Sequence, residues 1–209
     1  MRKTTEVEEL GSIRVKIAEK ALLKRIGAAQ NRKVSKRIKA GIKKAMEEVS
    51  HYIEAKAIYR ILPVMKKNSS IILAGGFSFK SSNLGILFGP CDKAAVFLAT
   101  IGPEVERVIN EYMDRHPHYG VILDAAASAA AEATAGYIQN YIDKKLSQEE
   151  KTTLRYSPGY CDWPISEQRE IFEILPHETI GVELSEDSFM SPRKSVSGVI
   201  GICPADSKF

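Results

Sequence analysis

The sequence predicts an α+β protein in which helices pack on an antiparallel sheet. Three observations lead to this: short apolar runs separated by turn residues over 57–100, long helical patterns on either side, and an alternating segment near the C-terminus. With 209 residues, 44% of them hydrophobic and 27% charged, the chain has the composition of an ordinary globular protein. We divide it into a basic helical segment, residues 1–55, and an α+β core, residues 56–209.

The first third of the chain carries the positive charge. Residues 1–67 hold 18 Lys and Arg against 7 Asp and Glu, a balance of +11, and the remaining 142 residues hold 12 against 19, a balance of −7. An amphipathic helix is predicted over 32–50, because apolar side chains recur there at three- and four-residue steps: Val34, Ile38, Ile42, Ala45 and Val49. A shorter helix is predicted over 18–26, ended by Gly27, whereas 12–17 fits either a strand or a helix start.

The central region has the pattern of an antiparallel meander. Its apolar runs are short enough for strands and are bounded by turn residues; they cover 57–64, 70–73, 76–79, 84–88 and 94–100. Residues 66–69 and 81–83 are predicted to form hairpin turns between these strands.

Two helices follow the meander. Gly102 and Pro103 favour a helix start, since a proline at the first helical position gives up no hydrogen bond, and this helix is predicted to end near residue 115. Residues 119–146 form the longest helical pattern. Its centre, built of small residues, carries three polar side chains at four-residue steps: Asp124, Ser128 and Glu132. These cover an arc of about 80° on a helix. Close packing alone explains the small residues, and a polar site facing the arc is the alternative.

The C-terminal region is predicted to hold a loop, a helix and two strands. The loop covers 155–164, the helix 166–175 and the first strand 180–184. Residues 195–202 alternate small and β-branched side chains, which is typical of a strand.

The cysteines and the hydropathy pattern indicate a cytoplasmic protein. Cys91, Cys161 and Cys203 are an odd number and fit neither a disulfide framework nor a zinc motif, so we expect the chain to fold without disulfides. No apolar run approaches the roughly 18 residues that a membrane span requires, and the charged N-terminus does not resemble a secretory signal.

Several common catalytic sites are not supported. Ser195 and Ser197 lack the frame of a nucleophilic serine, and the four histidines lie in no triad-like motif. His116 and His118 are too few ligands for a zinc site, and the glycines form no phosphate-binding loop. We therefore predict neither a catalytic residue nor a metal site.

The loop that begins at Arg155 has the features of an anion site. Gly159 permits a positive φ or close approach of a ligand, and Pro158 holds Ser157 extended. An arginine beside exposed loop amides can bind a carboxylate with two hydrogen bonds. The alternative is an arginine that forms a salt bridge on an ordinary turn.

Together these motifs resemble the activation domain of cobalamin-dependent methionine synthase. The resemblance depends on four elements: Arg155-x-x-x-Gly159-Tyr160, Pro192-x-x-Ser-Val-Ser-Gly198, Asp206-Ser-Lys-Phe209, and the Asp124…Ser128-Ala-Ala-Ala-Glu132 helix. It covers residues 90–209 well, the meander weakly and residues 1–55 not at all. It implies a curved sheet with a ligand at its edge.

The resemblance implies a site for S-adenosylmethionine. Arg155 would hold the methionine carboxylate, and Glu132 and Glu149 would lie near the sulfonium, where a carboxylate lowers the free energy of a buried cation. The other residues that it implies line the ligand or lie near its adenosine: Tyr156, Ser157, Pro158, Gly159, Tyr160 and Phe209. Two positions depart from the family. Residues 1–60 contain no Ile-Asp-Trp segment to supply an aspartate, and Phe209 replaces a tyrosine.

The implied activity is reductive remethylation of cob(II)alamin, with a reduced flavodoxin-type partner as the electron donor. Since 209 residues cannot also hold the other synthase modules, we expect action in trans on a separate methionine synthase or corrinoid protein, with the basic segment docking an acidic partner. A solvated lysine face is the other interpretation of that segment. A non-catalytic docking subunit with weakened ligand binding is the alternative function. Nucleic-acid binding is not favoured, because the lysines lack interleaved aromatics.

Overall fold

The computed structural model describes residues 6–27, 35–67 and 70–208. It contains a mixed arrangement of helices and antiparallel strands, which confirms the α+β prediction. None of the helices in these ranges combines the length and apolar character of a membrane span.

One antiparallel sheet holds most of the strands. Its members are β1 (Glu8–Leu10), β2 (Lys56–Lys67), β3 (Ile71–Leu73), β4 (Ser78–Phe79), β5 (Lys93–Thr100), β6 (Glu150–Thr152) and β9 (Ser195–Pro204). The order is β4-β3-β2-β5-β9-β6, and β1 also pairs with β2. A separate two-stranded ribbon joins β7 (Glu183–Leu184) to β8 (Met190–Ser191). The C-terminal strand β9 therefore lies inside the sheet, and seven of the eight β5 residues beside it are buried.

The helices cover both faces of the sheet. They are α1 (Glu19–Arg25), α2 (Lys36–Tyr52), α3 (Ser82–Leu87), α4 (Glu104–Arg115), α5 (Pro117–Lys145) and α6 (Gln168–Ile174). Helices α1, α2, α4 and α5 form a core with the sheet face that carries Tyr59, Phe97 and Ile200. Helices α3 and α6 form a second core with the opposite face, on which Ile58 and Val96 lie. Neighbouring residues of a strand serve different cores because their side chains alternate between the faces.

The small residues of α5 allow this long helix to lie directly on the sheet. Ala126, Ala127 and Ala130 are fully buried in the core that contains Phe97. Leu22 of α1 and Ile42 of α2 belong to the same core, so the basic segment packs against α5. The predicted domain boundary between residues 55 and 56 stays a prediction.

The predicted helices of the N-terminal segment are confirmed within the described residues. Helix α2 begins at Lys36, because Ser35 caps it by accepting a hydrogen bond from the Ile38 amide at 3.3 Å. Residues 28–34, which include Val34, are not among those that the structure describes. Helix α1 ends before Gly27, whose φ is +71°. Residues 12–17 form neither helix nor strand, although Ile13 is buried and its amide donates to the Ala55 carbonyl.

One strand predicted in the meander is a helix in the structure, and one predicted turn lies partly outside the described residues. Residues 84–88, predicted as a strand, belong to helix α3 and its C-cap. Ser81, expected in a hairpin turn, caps this helix by accepting a hydrogen bond from the Leu84 amide at 3.0 Å. A short apolar run fits a buried helix as well as a strand, so only the cap distinguishes them. Of the turn predicted over 66–69, residues 68 and 69 lie outside the description.

The expectation of a chain without disulfides is wrong. Cys91, just before β5, and Cys203, near the end of β9, form a disulfide in the structure, and Cys161 is free and exposed. The two bonded residues are 112 positions apart and meet only because β5 and β9 are neighbours in the sheet. Spacing along the chain does not reveal such a pair.

Candidate ligand-binding site

The loop that begins at Arg155 is attached to strand β9 by backbone hydrogen bonds. The Tyr156 amide donates to the Val199 carbonyl at 2.9 Å, and the Val199 amide donates to the Tyr156 carbonyl at 2.8 Å. The loop therefore lies along an inner strand of the sheet, so its amides and side chains have a rigid support.

Gly198 makes this attachment possible. A Cβ at this position would lie 2.6 Å from the Tyr156 carbonyl oxygen and 2.9 Å from Ser157 Oγ. Real Cβ atoms do not approach backbone oxygens so closely, so a larger residue would push the loop away from β9. Gly198, the last residue of the Ser-Val-Ser-Gly motif, thus allows the Arg155 loop to pack against β9.

The far end of the loop turns at Gly159, whose φ is +89°. Its amide donates to the Trp163 carbonyl at 2.8 Å, and the Trp163 amide donates to the Tyr160 carbonyl at 3.0 Å. Trp163 is buried and stacks on Tyr156, with ring centroids 5.9 Å apart. Burial, with a contribution from the Cys161 thiol, raises the pKa of Tyr156 to about 12, so its hydroxyl keeps its proton at neutral pH.

Asp162 ties the loop to the start of helix α3. Its carboxylate accepts hydrogen bonds from Ser81 Oγ at 2.6 Å, from the Ser82 amide at 2.7 Å, and from the amide and side chain of Asn83 at 3.2 and 2.9 Å. The bond from Ser81 is the largest of the contacts that lower the pKa of Asp162. A carboxylate at a helix N-terminus is also favoured by the helix dipole.

A cavity of about 570 Å³ lies between this loop, helix α5 and strand β9. Its wall includes most of the residues that the sequence predicts: Glu132, Arg155, Tyr156, Ser157, Pro158 and Tyr160. Gly159 lies in the same loop but does not line the cavity. The Ser157 amide donates to no other residue within the described ranges.

Arg155 and Glu132 meet in the wall of this cavity. Arg155 Nη2 donates to Glu132 Oε2 at 2.5 Å, and the two side chains are 30% and 38% exposed. Arg25, from the end of α1, brings its own Nη2 to 3.7 Å from Glu132 Oε1. One carboxylate thus faces two guanidinium groups, and all three remain accessible from the cavity side or from solvent.

The other two residues of the polar arc, Asp124 and Ser128, bind a different cation. Lys194 Nζ donates to Asp124 Oδ1 at 2.7 Å and to Ser128 Oγ at 2.9 Å. Its backbone amide also donates to Glu106 at 3.0 Å. The residues of the polar arc therefore have two different partners. Asp124 and Ser128 bind the segment before β9, whereas Glu132 binds the Arg155 loop.

Of the other predicted site residues, Glu149 does not line this cavity either, and Phe209 cannot be placed. Glu149 faces a second cavity of about 780 Å³, bordered by Asp92, Lys93 and Asp206 near the end of β9. Phe209 lies outside the described residues. The six-residue spacing from Arg155 thus does not bring Glu149 into the wall that Arg155 lines.

Other contacts of the site were not found from the sequence. Arg25 lies in a basic segment, where nothing in the sequence distinguishes it from a solvated side chain. Asp162 forms its hydrogen bonds with residues about 80 positions earlier in the chain. Leu154 and Met190 line the cavity as well. Only the packing of distant elements places them there.

The loop and the elements around it lie within the match to one protein family. The model of the family "Vitamin B12 dependent methionine synthase, activation domain" matches residues 87–209, more than half of the chain. The chain therefore belongs to the activation-domain family of the vitamin B12-dependent methionine synthases. The match contains the small-residue helix, the Arg155 loop and strand β9, which are the elements that build the cavity.

A solved structure, the MetH reactivation domain bound to AdoHcy, has a similar fold. The TM-score is 0.69 and the sequence identity is 17%, and the alignment covers 98% of this chain and 80% of that one. The similarity therefore extends through the N-terminal segment, which the family model does not match. A comparison with curated proteins gives no significant match.

Proposed function

We propose that this chain binds S-adenosylmethionine in the Arg155 cavity and supports reductive remethylation of cob(II)alamin carried by another protein module. Membership of the activation-domain family supports the corrinoid partner. The solved relative with AdoHcy supports an adenosyl ligand. The observation that carries the proposal is the Arg155–Glu132 pair in the wall of a cavity of about 570 Å³, which is within the usual size of small-molecule sites.

The residues present fit the charged end of such a ligand. Arg155 can exchange its bond with Glu132 for a ligand carboxylate, because an arginine binds carboxylates through two parallel hydrogen bonds. The Ser157 amide can donate to the same group. Glu132, once released, can lie beside the sulfonium cation, whose free energy in a partly buried site it lowers. The ligand supplies the methyl group when bound, and the chain's own residues hold and orient it.

The rim of the cavity supports docking of the corrinoid module. Leu154, Tyr160 and Ile165 line the cavity and are 79%, 61% and 43% exposed. Large exposed apolar side chains that cluster at one site mark interaction surfaces. A partner that covers this rim would exclude water from the ligand and complete the site.

The basic face of α2 supports a role for an acidic, flavodoxin-type reductant. Ile42 and Val49 of this helix are buried, whereas its lysines and arginine are exposed on the other side: Lys36, Arg37, Lys39, Lys43 and Lys44. Such a face raises the association rate with an acidic protein. Action in trans on a separate corrinoid protein, the cytoplasmic location and the roles of Tyr160 and Glu149 stay predictions.

Calorimetry with S-adenosylmethionine tests the proposal, with and without a corrinoid protein. We expect saturable binding that weakens at least about ten-fold in Arg155→Ala, since the charged hydrogen bonds to the carboxylate are lost. Arg14→Ala removes an exposed arginine from residues outside the cavity and should bind like the unmodified protein. No heat from the unmodified protein in either condition would contradict ligand binding.

A docking subunit with weakened ligand binding is the second candidate. Two observations favour it: Arg25 lies 3.7 Å from an oxygen of Glu132, and Glu149 lines another cavity. In that case Arg155→Ala would bind the corrinoid partner as tightly as the unmodified protein, and neither would bind the nucleoside.

A further inference from the structure

Arg25 does not line the cavity but pairs with Glu132 in its wall, and it comes from a part of the chain outside the family match. It is the last residue of α1, and its Nη2 lies 3.7 Å from Glu132 Oε1. The end of α1 is fixed by packing, because Leu22, one turn earlier, is completely buried in the core that contains α5. The packing of α1 therefore places the backbone of Arg25 close enough for its side chain to reach Glu132.

The charges around the cavity do not balance. Among the described residues that line it, Glu132 and Arg155 are the only charged ones, one of each sign. Arg25 adds a second positive charge on the free oxygen of Glu132. The single carboxylate of the wall is thus shared by two cations before any ligand arrives, and the excess charge is positive.

This imbalance affects two closely related ligands differently. S-adenosylmethionine and S-adenosylhomocysteine share the carboxylate, the ammonium and the adenosine. They differ in the sulfur, which is a sulfonium cation in the first and a neutral thioether in the second. A fixed positive charge disfavours the sulfonium and leaves the thioether nearly unaffected, because only the former carries a charge for it to repel.

We propose that Arg25 determines the ligand preference of this site, by neutralising Glu132 and thereby disfavouring a sulfonium relative to a neutral thioether. The inference depends on the proposed adenosyl site. It assigns to the N-terminal segment a role in specificity, distinct from the docking of partners. Removal of the Arg25 charge shifts the preference of the cavity toward the cationic ligand.

The ratio of two dissociation constants tests this inference. Binding of both nucleosides is measured by calorimetry for the unmodified protein and for Arg25→Gln. We expect the affinity for S-adenosylmethionine relative to S-adenosylhomocysteine to rise about two- to five-fold, the range typical of partly exposed charges. Salt screens such interactions, so the difference between the two proteins should shrink at about 1 M salt.

Two further variants separate charge from other effects. Arg25→Lys keeps the charge and should keep the ratio of the unmodified protein. Lys24→Gln removes an adjacent exposed charge that makes no salt bridge with Glu132, and it should also leave the ratio unchanged.

The outcomes distinguish this inference from the proposed function. Equal changes in both affinities, or the same shift in Lys24→Gln, would overturn the role of Arg25 while leaving the adenosyl site in place. If neither nucleoside binds any of the four proteins, with or without a corrinoid protein, the proposed function fails and the inference fails with it.

Discussion

The carbonyl oxygen of Tyr156 lies directly against the Cα of Gly198, so close that a Cβ there would be 2.6 Å from it. This contact joins two motifs that are separated by about 40 residues in the chain. The Arg155 loop can bond to β9 only because residue 198 has no side chain. The cavity therefore depends on a position that does not line it.

Gly198→Ala should displace the loop. We expect a loss of stability of about 1–3 kcal/mol, because the added methyl overpacks a rigid backbone contact. Gly198→Ala should also weaken the binding of S-adenosylmethionine, and by more than the Arg14→Ala control does. Chemical denaturation and calorimetry measure the two effects. Gly11→Ala is the matched control, since nothing lies within 4 Å of a Cβ at Gly11. Unchanged binding in Gly198→Ala would show that the loop position is unimportant.

Lys194→Ala should affect stability and leave ligand binding intact. The Lys194 side chain is only 13% exposed and donates to both Asp124 and Ser128, so its removal leaves these acceptors without their cation. We expect a loss of about 1 kcal/mol. Denaturation of Lys194→Ala is compared with that of Arg193→Ala, an exposed neighbour. A large loss of nucleoside binding would place Asp124 and Ser128 in the ligand site and contradict the division of the polar arc.

Asp162→Asn should lower the stability of the protein at neutral pH and have little effect in acid. The pKa of Asp162 in the fold lies below its ordinary value of 3.8, chiefly because of the bond from Ser81. Such a group stabilises the fold above its ordinary pKa, and this contribution is lost as the pH falls through the lowered pKa. The melting temperatures of the two proteins should therefore differ at pH 7, and the difference should be smaller at an acidic pH below 3.8.

The matched control for Asp162 is Asp187→Asn, which removes an exposed carboxylate without a side-chain hydrogen bond among the described residues. Hydrogen exchange at Leu84 gives a local readout, since the Asp162 contacts hold the first turn of α3. A melting difference that is the same at both pH values would contradict the role of the Asp162 charge.

Cys161 should report on the cavity by its reactivity. It is exposed and lines the cavity, whereas Cys91 and Cys203 are buried and bonded to each other. We expect one thiol to react with a thiol reagent in the native protein, and still one after denaturation without a reductant. Saturating S-adenosylmethionine should slow the native reaction, because a bound ligand covers the thiol. The Cys161→Ser protein should not react. Three reactive thiols in the denatured protein would contradict the disulfide.

Much of the local structure followed from the sequence. The long helical pattern over 119–146 predicted α5, the apolar runs predicted β2 and β5, and Gly27 marked the end of α1. These features depend on backbone conformation and side-chain direction within a few residues, which neighbouring positions determine. The Arg155 loop and Glu132 were identified in the same way, through motifs whose residues lie near one another in the chain.

Other features depended on tertiary structure alone. Strand β9 pairs between β5 and β6, which brings Cys203 to Cys91 and Gly198 beneath Tyr156. The packing of α1 on α5 brings Arg25 to Glu132, 107 residues later in the chain. A pattern of residue types records which face of an element is apolar, but not which distant element will cover it. The sequence by itself therefore determined the loop and the acidic residue of the site, and the packing of the sheet and helices decided their partners and the balance of charge.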